Sequence, residues 1–196
     1  MIIFEGGDQL GKTTACKRLV EMVGDQIPAW YAHMTRPVPA FNFDRDYVER
    51  MNGHAVQDRF HLGSIVWHNG VMNQAKLRGI EHHLDRWRSV IVVVYTKAVR
   101  PYEIMLKQNS GREMFDPVDI VRANAIYRSI VERKHQWNPH WDIAIEIEYH
   151  DGEWYFINDA ILQNIADFWL ERINGIESPE TTSTMHLRTR LHREAS

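Results

Sequence analysis

Cysteine is almost absent: Cys16 is alone among 196 residues. A single thiol excludes a disulfide framework within the chain and fits a reducing, cytoplasmic setting. Long apolar runs are missing too. None approaches the roughly 20 residues that a membrane-spanning helix needs. The opening MIIFEGG lacks the basic region and long apolar stretch of a secretory signal. The expected localisation is therefore cytoplasmic, with no membrane partner. Neither charge sign dominates: 23 Lys and Arg stand against 26 Asp and Glu, a net charge of −3. That disfavours a strongly basic nucleic-acid binder while leaving room for a local basic patch. No internal repeat is visible, and around His61 and His68 no His, Cys and Asp spacing suggests a metal cage. The rest is ordinary: 44% hydrophobic and 25% charged residues exclude global disorder. The length suits one domain with a full core.

What is present alternates between two periods. Residues 1–4 form an apolar run before a Gly-rich turn, which predicts a buried strand. Residues 13–23 place Ala15, Leu19, Met22 and Val23 at helical spacing. Further strands are predicted at 30–34, 55–59, 89–96 and 142–149. The unbroken SVIVVVYT of 89–96 indicates a strand covered on both faces, as in a parallel sheet. Helices are predicted at 43–51, 62–84 (with a break near Gly70 or Gly79), 102–107, 118–135 and 160–173. Residues 35–42, with two prolines, and 108–117, with Gly111, read as loops. Asp151-Gly152 is a turn signal that makes 154–157 a hairpin partner for 142–149. Trp137 and Trp141 read as packing residues. The alternation argues for an α/β fold with a mainly parallel central sheet and helices on both faces. Residues 174–196 lack a period. With His186, Arg188, Arg190, His192 and Arg193 they read as a locally basic, flexible extension to a domain spanning 1–173.

Gly6-Gly7-Asp8-Gln9-Leu10-Gly11-Lys12-Thr13 matches G-x-x-x-x-G-K-[ST] in full, after a predicted strand and before a predicted helix. Glycines let the backbone curl so that several N–H groups point at phosphate oxygens. The helix N-terminus adds partial positive charge. Lys12 is suited to reach the β- and γ-phosphates, and the Thr13 hydroxyl to ligate Mg²⁺. Gly6, Gly7, Gln9, Leu10, Gly11, Lys12, Thr13 and Thr14 are the candidate nucleotide-binding residues, with ATP and Mg²⁺ as cofactors. Cys16, just inside the helix, reads as a small buried packing residue.

Four motifs carry a family resemblance. FEGGDQLGKTT at 4–14 resembles the phosphate loop of thymidylate kinases. HMTRP at 33–37 is similar to their T-R-E-P loop. Asp58-Arg59-Phe60 resembles their D-R-Y/W, with Ser64 and Trp67 at that motif's spacing. Arg112-Glu113 and Phe115 fall in a lid-like loop, about 107–117, followed by Val121-Arg122 and Tyr127. Together they resemble the nucleoside and nucleotide kinase group of P-loop proteins, phage-type members included, and imply a P-loop kinase three-layer sandwich. The resemblance implies that Asp8 bonds the acceptor sugar's 3′-hydroxyl, favouring deoxyribose. It implies that Arg36 and Arg59 hold the acceptor phosphate and the transferring phosphoryl group. Asp58 would position the acceptor or a Mg²⁺-bound water, and Phe41, Phe60 and Trp67 would wall or stack on the base. Since Gln9 is uncharged, Arg112, with Lys107 as a weaker candidate, would supply lid charge. His61 and His68 read as surface or satisfied histidines. A homodimer packed through the long helix after Asp58 is also implied.

The sequence departs from that pattern in two places. Pro37 follows Arg36 directly, without the family's glutamate. Only 21 residues separate Arg36 from Asp58, which shortens the segment that builds the acceptor pocket. The leading expectation is ATP-Mg²⁺-dependent transfer to a deoxynucleoside monophosphate. The alternatives are a kinase for a hydroxymethylpyrimidine base in modified DNA, as in phage DNA hypermodification, a deoxynucleoside kinase, and a non-kinase NTPase switch. A DNA acceptor needs a flipped base and several phosphate contacts, which the net charge of −3 does not favour.

Overall fold

The structure, a computed structural model, describes residues 1–34, 53–67, 72–109, 115–175 and 184–189. The elements are β1 (Ile2–Gly6), α1 (Lys12–Val23), β2 (Trp30–His33), β3 (Ala55–Asp58), α2 (His61–Trp67), α3 (Gln74–Arg86) and β4 (Val90–Tyr95). They continue with α4 (Val99–Gln108), α5 (Pro117–Val131), β5 (Ile143–Glu146), β6 (Glu148–His150), β7 (Glu153–Tyr155), α6 (Asp159–Asn174) and β8 (Met185–Arg188).

Six strands form one sheet in the order β2-β3-β1-β4-β5-β8, every pairing parallel. Side chains alternate across a strand, and here both faces are covered. Ile2, Phe4, Val90, Val92 and Val94 join one core with Leu19 of α1 and Ile165 and Trp169 of α6. Met1, Ile3, Ile91 and Val93 join a second with Leu62 of α2 and Leu77, Ile80 and Leu84 of α3. The result is an α/β three-layer fold with a mainly parallel sheet and helices on both faces, as the sequence predicts.

Helix starts follow local chemistry. The Asn73, Asp116 and Asn158 side chains accept N–H bonds at the openings of α3, α5 and α6, and Pro117 occupies the first turn of α5. α1 differs. It opens on Gly11 with φ +81° and no side-chain cap, so its first N–H groups stay free for an anion.

The helical stretch over 62–84 is two helices, α2 and α3, which end and begin on either side of Gly70, one of the two expected breaks, while Gly79 lies inside α3. Two expectations are corrected. The strand over 142–149 also divides. Its first half pairs in the main sheet, while Glu148–His150 turns away to pair antiparallel with β7. Finally, the segment after 173 is not uniformly irregular: Met185–Arg188 adds parallel to β5 as an edge strand. Its alternation, with only Met185 and Leu187 apolar, is too short to read as a strand without its partner. The helix expected at 43–51 lies outside the described residues.

Candidate active site

In an open parallel sheet, ligands bind beyond the carboxyl ends of the strands, where the strand order reverses. The phosphate loop leaves the end of β1, which lies between β3 and β4. Register does the rest. Phe4 and His33 both align with Asp58, so the ends of β1, β2 and β3 converge.

The loop's geometry depends on its first glycine. Gly6 has φ +142°, and a Cβ there would lie 2.0 Å from the Val94 carbonyl oxygen. Gly7 N–H then donates to that oxygen at 3.3 Å. The Tyr102 hydroxyl donates to the Asp8 carbonyl at 2.5 Å, and Asn109 Nδ2 donates to Gln9 Oε1 at 3.1 Å. Helix α4 thereby holds the loop from outside.

Inside the loop, Lys12 is buried and donates to the Gly7 carbonyl at 2.6 Å. Burial pushes its pKa down, against the pull of Asp8. Thr13 Oγ1 donates to Asp58 Oδ2 at 2.6 Å. The same carboxylate oxygen accepts from Tyr31 at 3.3 Å and lies 3.3 Å from His33 Nδ1. Arg59 pairs with Asp8 Oδ1. Burial works against the Arg59 charge, but the Asp8 carboxylate helps to raise its pKa overall. Asp8 Oδ2 and Asp58 Oδ1 are buried and have no hydrogen-bond partner among the described residues.

Asp8, Lys12, Thr13, Asp58 and Arg59 line a cavity of about 730 Å³ together with Gln9, Gly11, Thr14, Arg18, Phe156, Ile157, Asp159 and Leu162, while Tyr31 and His33 reach Asp58 from outside its lining. A second cavity of about 370 Å³, between α2 and α5, is lined by Trp67, Phe115, Asp119 and Arg122 among others. There the Trp67 and Phe115 rings stack, with centroids 4.5 Å apart and 21° between planes.

The structure thus brings together Asp8, Gln9, Gly11, Lys12, Thr13, Thr14, Asp58 and Arg59, with Gly6 and Gly7 shaping the loop. Leu10 contributes only backbone, since its side chain is buried in the core. Phe60 is corrected: it is 2% exposed and packs in the second core, edge-on to His61, rather than walling a base. His61 is also corrected. It is fully buried, neither ring nitrogen is hydrogen-bonded among the described residues, and burial pushes its pKa down to about 3. Trp67 lines the second cavity instead of the first. Cys16 is free and buried, as expected. Arg36, Phe41, His68 and Arg112 lie outside the described residues.

Sequence reasoning missed Glu5, Tyr31, Tyr102, Asn109 and Phe156. Glu5 carried a signal, a lone acid directly after the apolar MIIF run and inside the strand. Phe156 carried none: the 151–152 turn is legible, but its proximity to the phosphate loop is tertiary.

Among the described residues, no group of three His, Cys, Asp or Glu could cage a metal, and no helix is long and apolar enough to cross a membrane. The oxygen donors Thr13 Oγ1 and Asp58 Oδ1 are of the type that hard divalent cations take.

No protein-family model matches the chain, and no curated protein matches its sequence. Its fold is similar to that of the YorR protein of Bacillus subtilis, whose crystal structure is a complex with phosphorylated GDP. The TM-score is 0.63 at 19% sequence identity, over 90% of this chain and 99% of YorR. The likeness shows a shared fold.

Proposed function

We propose that the protein transfers the terminal phosphoryl group of ATP to a deoxynucleoside monophosphate, giving ADP and a deoxynucleoside diphosphate. One observation carries this reading: Lys12, Thr13, Asp58, Arg59 and Asp8 converge on one cavity at the mouth of a complete phosphate loop. The phosphorylated GDP bound to YorR supports a nucleotide ligand.

The loose transition state of phosphoryl transfer asks for positioning and positive charge more than covalent help. The loop N–H groups, the open N-terminus of α1 and Lys12 cradle the ATP phosphates. Lys12 and Arg59 are held by Gly7 and Asp8 in the free protein and turn to phosphate oxygens when these enter. An oxygen of the acceptor phosphate attacks the γ-phosphorus. The bond to the β–γ bridging oxygen breaks, and its electron pair leaves with ADP. Arg59, a planar fork suited to two phosphate oxygens, gathers the charge. Asp8 Oδ2 is the acceptor for a sugar hydroxyl. The unbonded Asp58 Oδ1 fits Mg²⁺ or its bound water, and Mg²⁺ supplies charge neutralisation between the phosphates. The ATP base extends toward Phe156, Ile157 and Leu162, and the acceptor base toward Trp67. Arg36, Phe41 and Arg112 keep the roles the family resemblance implies, and a homodimer remains part of the reading.

A second reading is transfer to a hydroxyl, of a deoxynucleoside or of a hydroxymethylpyrimidine in DNA. His33 favours it, because an imidazole beside Asp58 is the type of group that takes a proton from an attacking hydroxyl.

The test is incubation with ATP and Mg²⁺ and, in parallel, each deoxynucleoside monophosphate, each deoxynucleoside, and hydroxymethyluracil-containing DNA. ADP with diphosphate formed only from monophosphates is the expected result. Phosphorylation of nucleoside or DNA alone overturns it for the second reading. ATP hydrolysis without any acceptor overturns both for an NTPase switch.

A further inference from the structure

Glu5 lies under the site without lining its cavity. It is fully buried near the end of β1. Its Oε1 accepts from two backbone N–H groups, Phe60 at 2.9 Å and Leu62 at 2.8 Å. Its Oε2 accepts from the Tyr127 hydroxyl at 3.3 Å. One side chain therefore ties β1 to the start of α2 and to the middle of α5.

The first bonded amide, Phe60, follows Arg59 immediately and the second, Leu62, lies two residues further on; Arg59 needs them. It has φ +66°, a left-handed conformation that a residue with a Cβ keeps only where its surroundings over-determine it. Three bonds fix the turn. Arg59 N–H donates to the Phe4 carbonyl at 2.9 Å. The Gln57 side chain donates to the Arg59 carbonyl at 2.9 Å. Glu5 takes the next N–H along. Without that third bond, two amides would be buried without acceptors, and the chain would relax from the conformation that aims the Arg59 guanidinium at Asp8 and the cavity.

We propose that Glu5 is a positioning residue for Arg59, acting by the reach of its side chain. This rests on the kinase reading insofar as Arg59 has a phosphate to hold. Reach rather than charge is singled out because both amides use one oxygen, which an amide side chain would keep. Among the described residues, moreover, no cation is hydrogen-bonded to the Glu5 carboxylate.

Two variants separate the ideas. Glu5→Gln keeps length and loses charge; Glu5→Asp keeps charge and is one methylene short. With saturating ATP-Mg²⁺ and acceptor, at a temperature where melting curves show every variant folded, Glu5→Asp should lower kcat at least tenfold. Its KM for ATP should stay within threefold of wild type. Glu5→Gln should keep kcat within threefold. The Arg59 Nε–H resonance of the free proteins should move in Glu5→Asp and stay in Glu5→Gln. Wild-type kcat in Glu5→Asp, or a greater loss in Glu5→Gln, overturns the proposal. If the wild-type protein transfers phosphate to no acceptor, the kinase reading fails. The Arg59 resonance then decides for Glu5 alone, and an unmoved signal in Glu5→Asp sinks it.

Discussion

Thr13 Oγ1 donates to Asp58 Oδ2 at 2.6 Å, joining the first turn of α1 to the end of β3. That oxygen also receives the Tyr31 hydroxyl, while Asp58 Oδ1 is buried and unbonded among the described residues. A carboxylate with one saturated and one bare oxygen is poised for a further electrophile. Asp58→Asn replaces one of these oxygens by a donor. It should lower turnover about 10- to 100-fold, as losses around a metal commonly do, and shift the Mg²⁺ dependence of activity to higher concentration. Thr13→Ala should shift the same Mg²⁺ titration. A titration unchanged in both variants would remove the cation from this corner.

Two glycines give opposite stability predictions. At Gly6 a Cβ would meet the Val94 carbonyl oxygen at 2.0 Å, backbone against backbone, within the β1–β4 pair. Gly6→Ala should cost about 3 kcal/mol, or roughly 6–12 °C in Tm for a chain of this size. At Gly79, inside α3, a Cβ meets nothing within 4 Å. Gly79→Ala should therefore stabilise by about 0.5–1 kcal/mol. Thermal melts of the two variants check both signs.

The parallel sheet and the phosphate loop were legible because their signals are local. The β-branched run around Val92 can only be a strand covered on both faces, and the glycine spacing up to Lys12 has one structural use. Asp58 and Arg59 were singled out through their motif, a strand-end acid and its neighbouring arginine beside a phosphate loop, and both line the cavity. Phe60 and His61 were misread because burial is decided by α2 docking on the sheet, which no short window contains. Met185–Arg188 was missed for a related reason: an edge strand borrows its hydrogen bonds from β5, far away in sequence. The stacking of Phe115 on Trp67 likewise depends on how α2 and α5 meet.

Stability should respond to pH through Glu5 and His61 in opposite senses. Burial raises the Glu5 pKa from 4.5 to about 7 in the folded state. Its contribution is thus fully present below pH 4.5 and lost as pH rises through about 7. Burial lowers the His61 pKa from 6.5 to about 3, so its contribution is present above 6.5 and lost as pH falls through about 3. Between pH 4.5 and 6.5 the two slopes oppose each other. Glu5→Gln removes one of them. The stability of wild type minus that of Glu5→Gln should fall by about 1.4 kcal/mol per pH unit over that window, roughly 3 kcal/mol in all. Urea denaturation at pH 4.5, 5.5, 6.5 and 7.5 measures it, and a difference that does not vary with pH would show that Glu5 titrates normally.

Phe156 follows the β6–β7 hairpin and leans on the phosphate loop: a Cβ on Gly11 would lie 3.4 Å from its ring. The ring is 42% exposed and lines the cavity that holds Lys12 and Thr13. An apolar ring left this open beside a phosphate cradle is suited to stack on a planar base. Stacking on an aromatic side chain is worth about 1–3 kcal/mol per base, so Phe156→Ala should weaken ATP binding by roughly tenfold. Inorganic tripolyphosphate carries the same phosphates without a base, and its affinity should not change. Equal weakening of both ligands would mean that Phe156 props the loop rather than receiving the base. Since Trp154 stacks near Phe156, with centroids 6.4 Å apart, tryptophan fluorescence can follow the ATP titration directly, and calorimetry measures tripolyphosphate. ATP should perturb the fluorescence strongly in the wild-type protein, and tripolyphosphate should not.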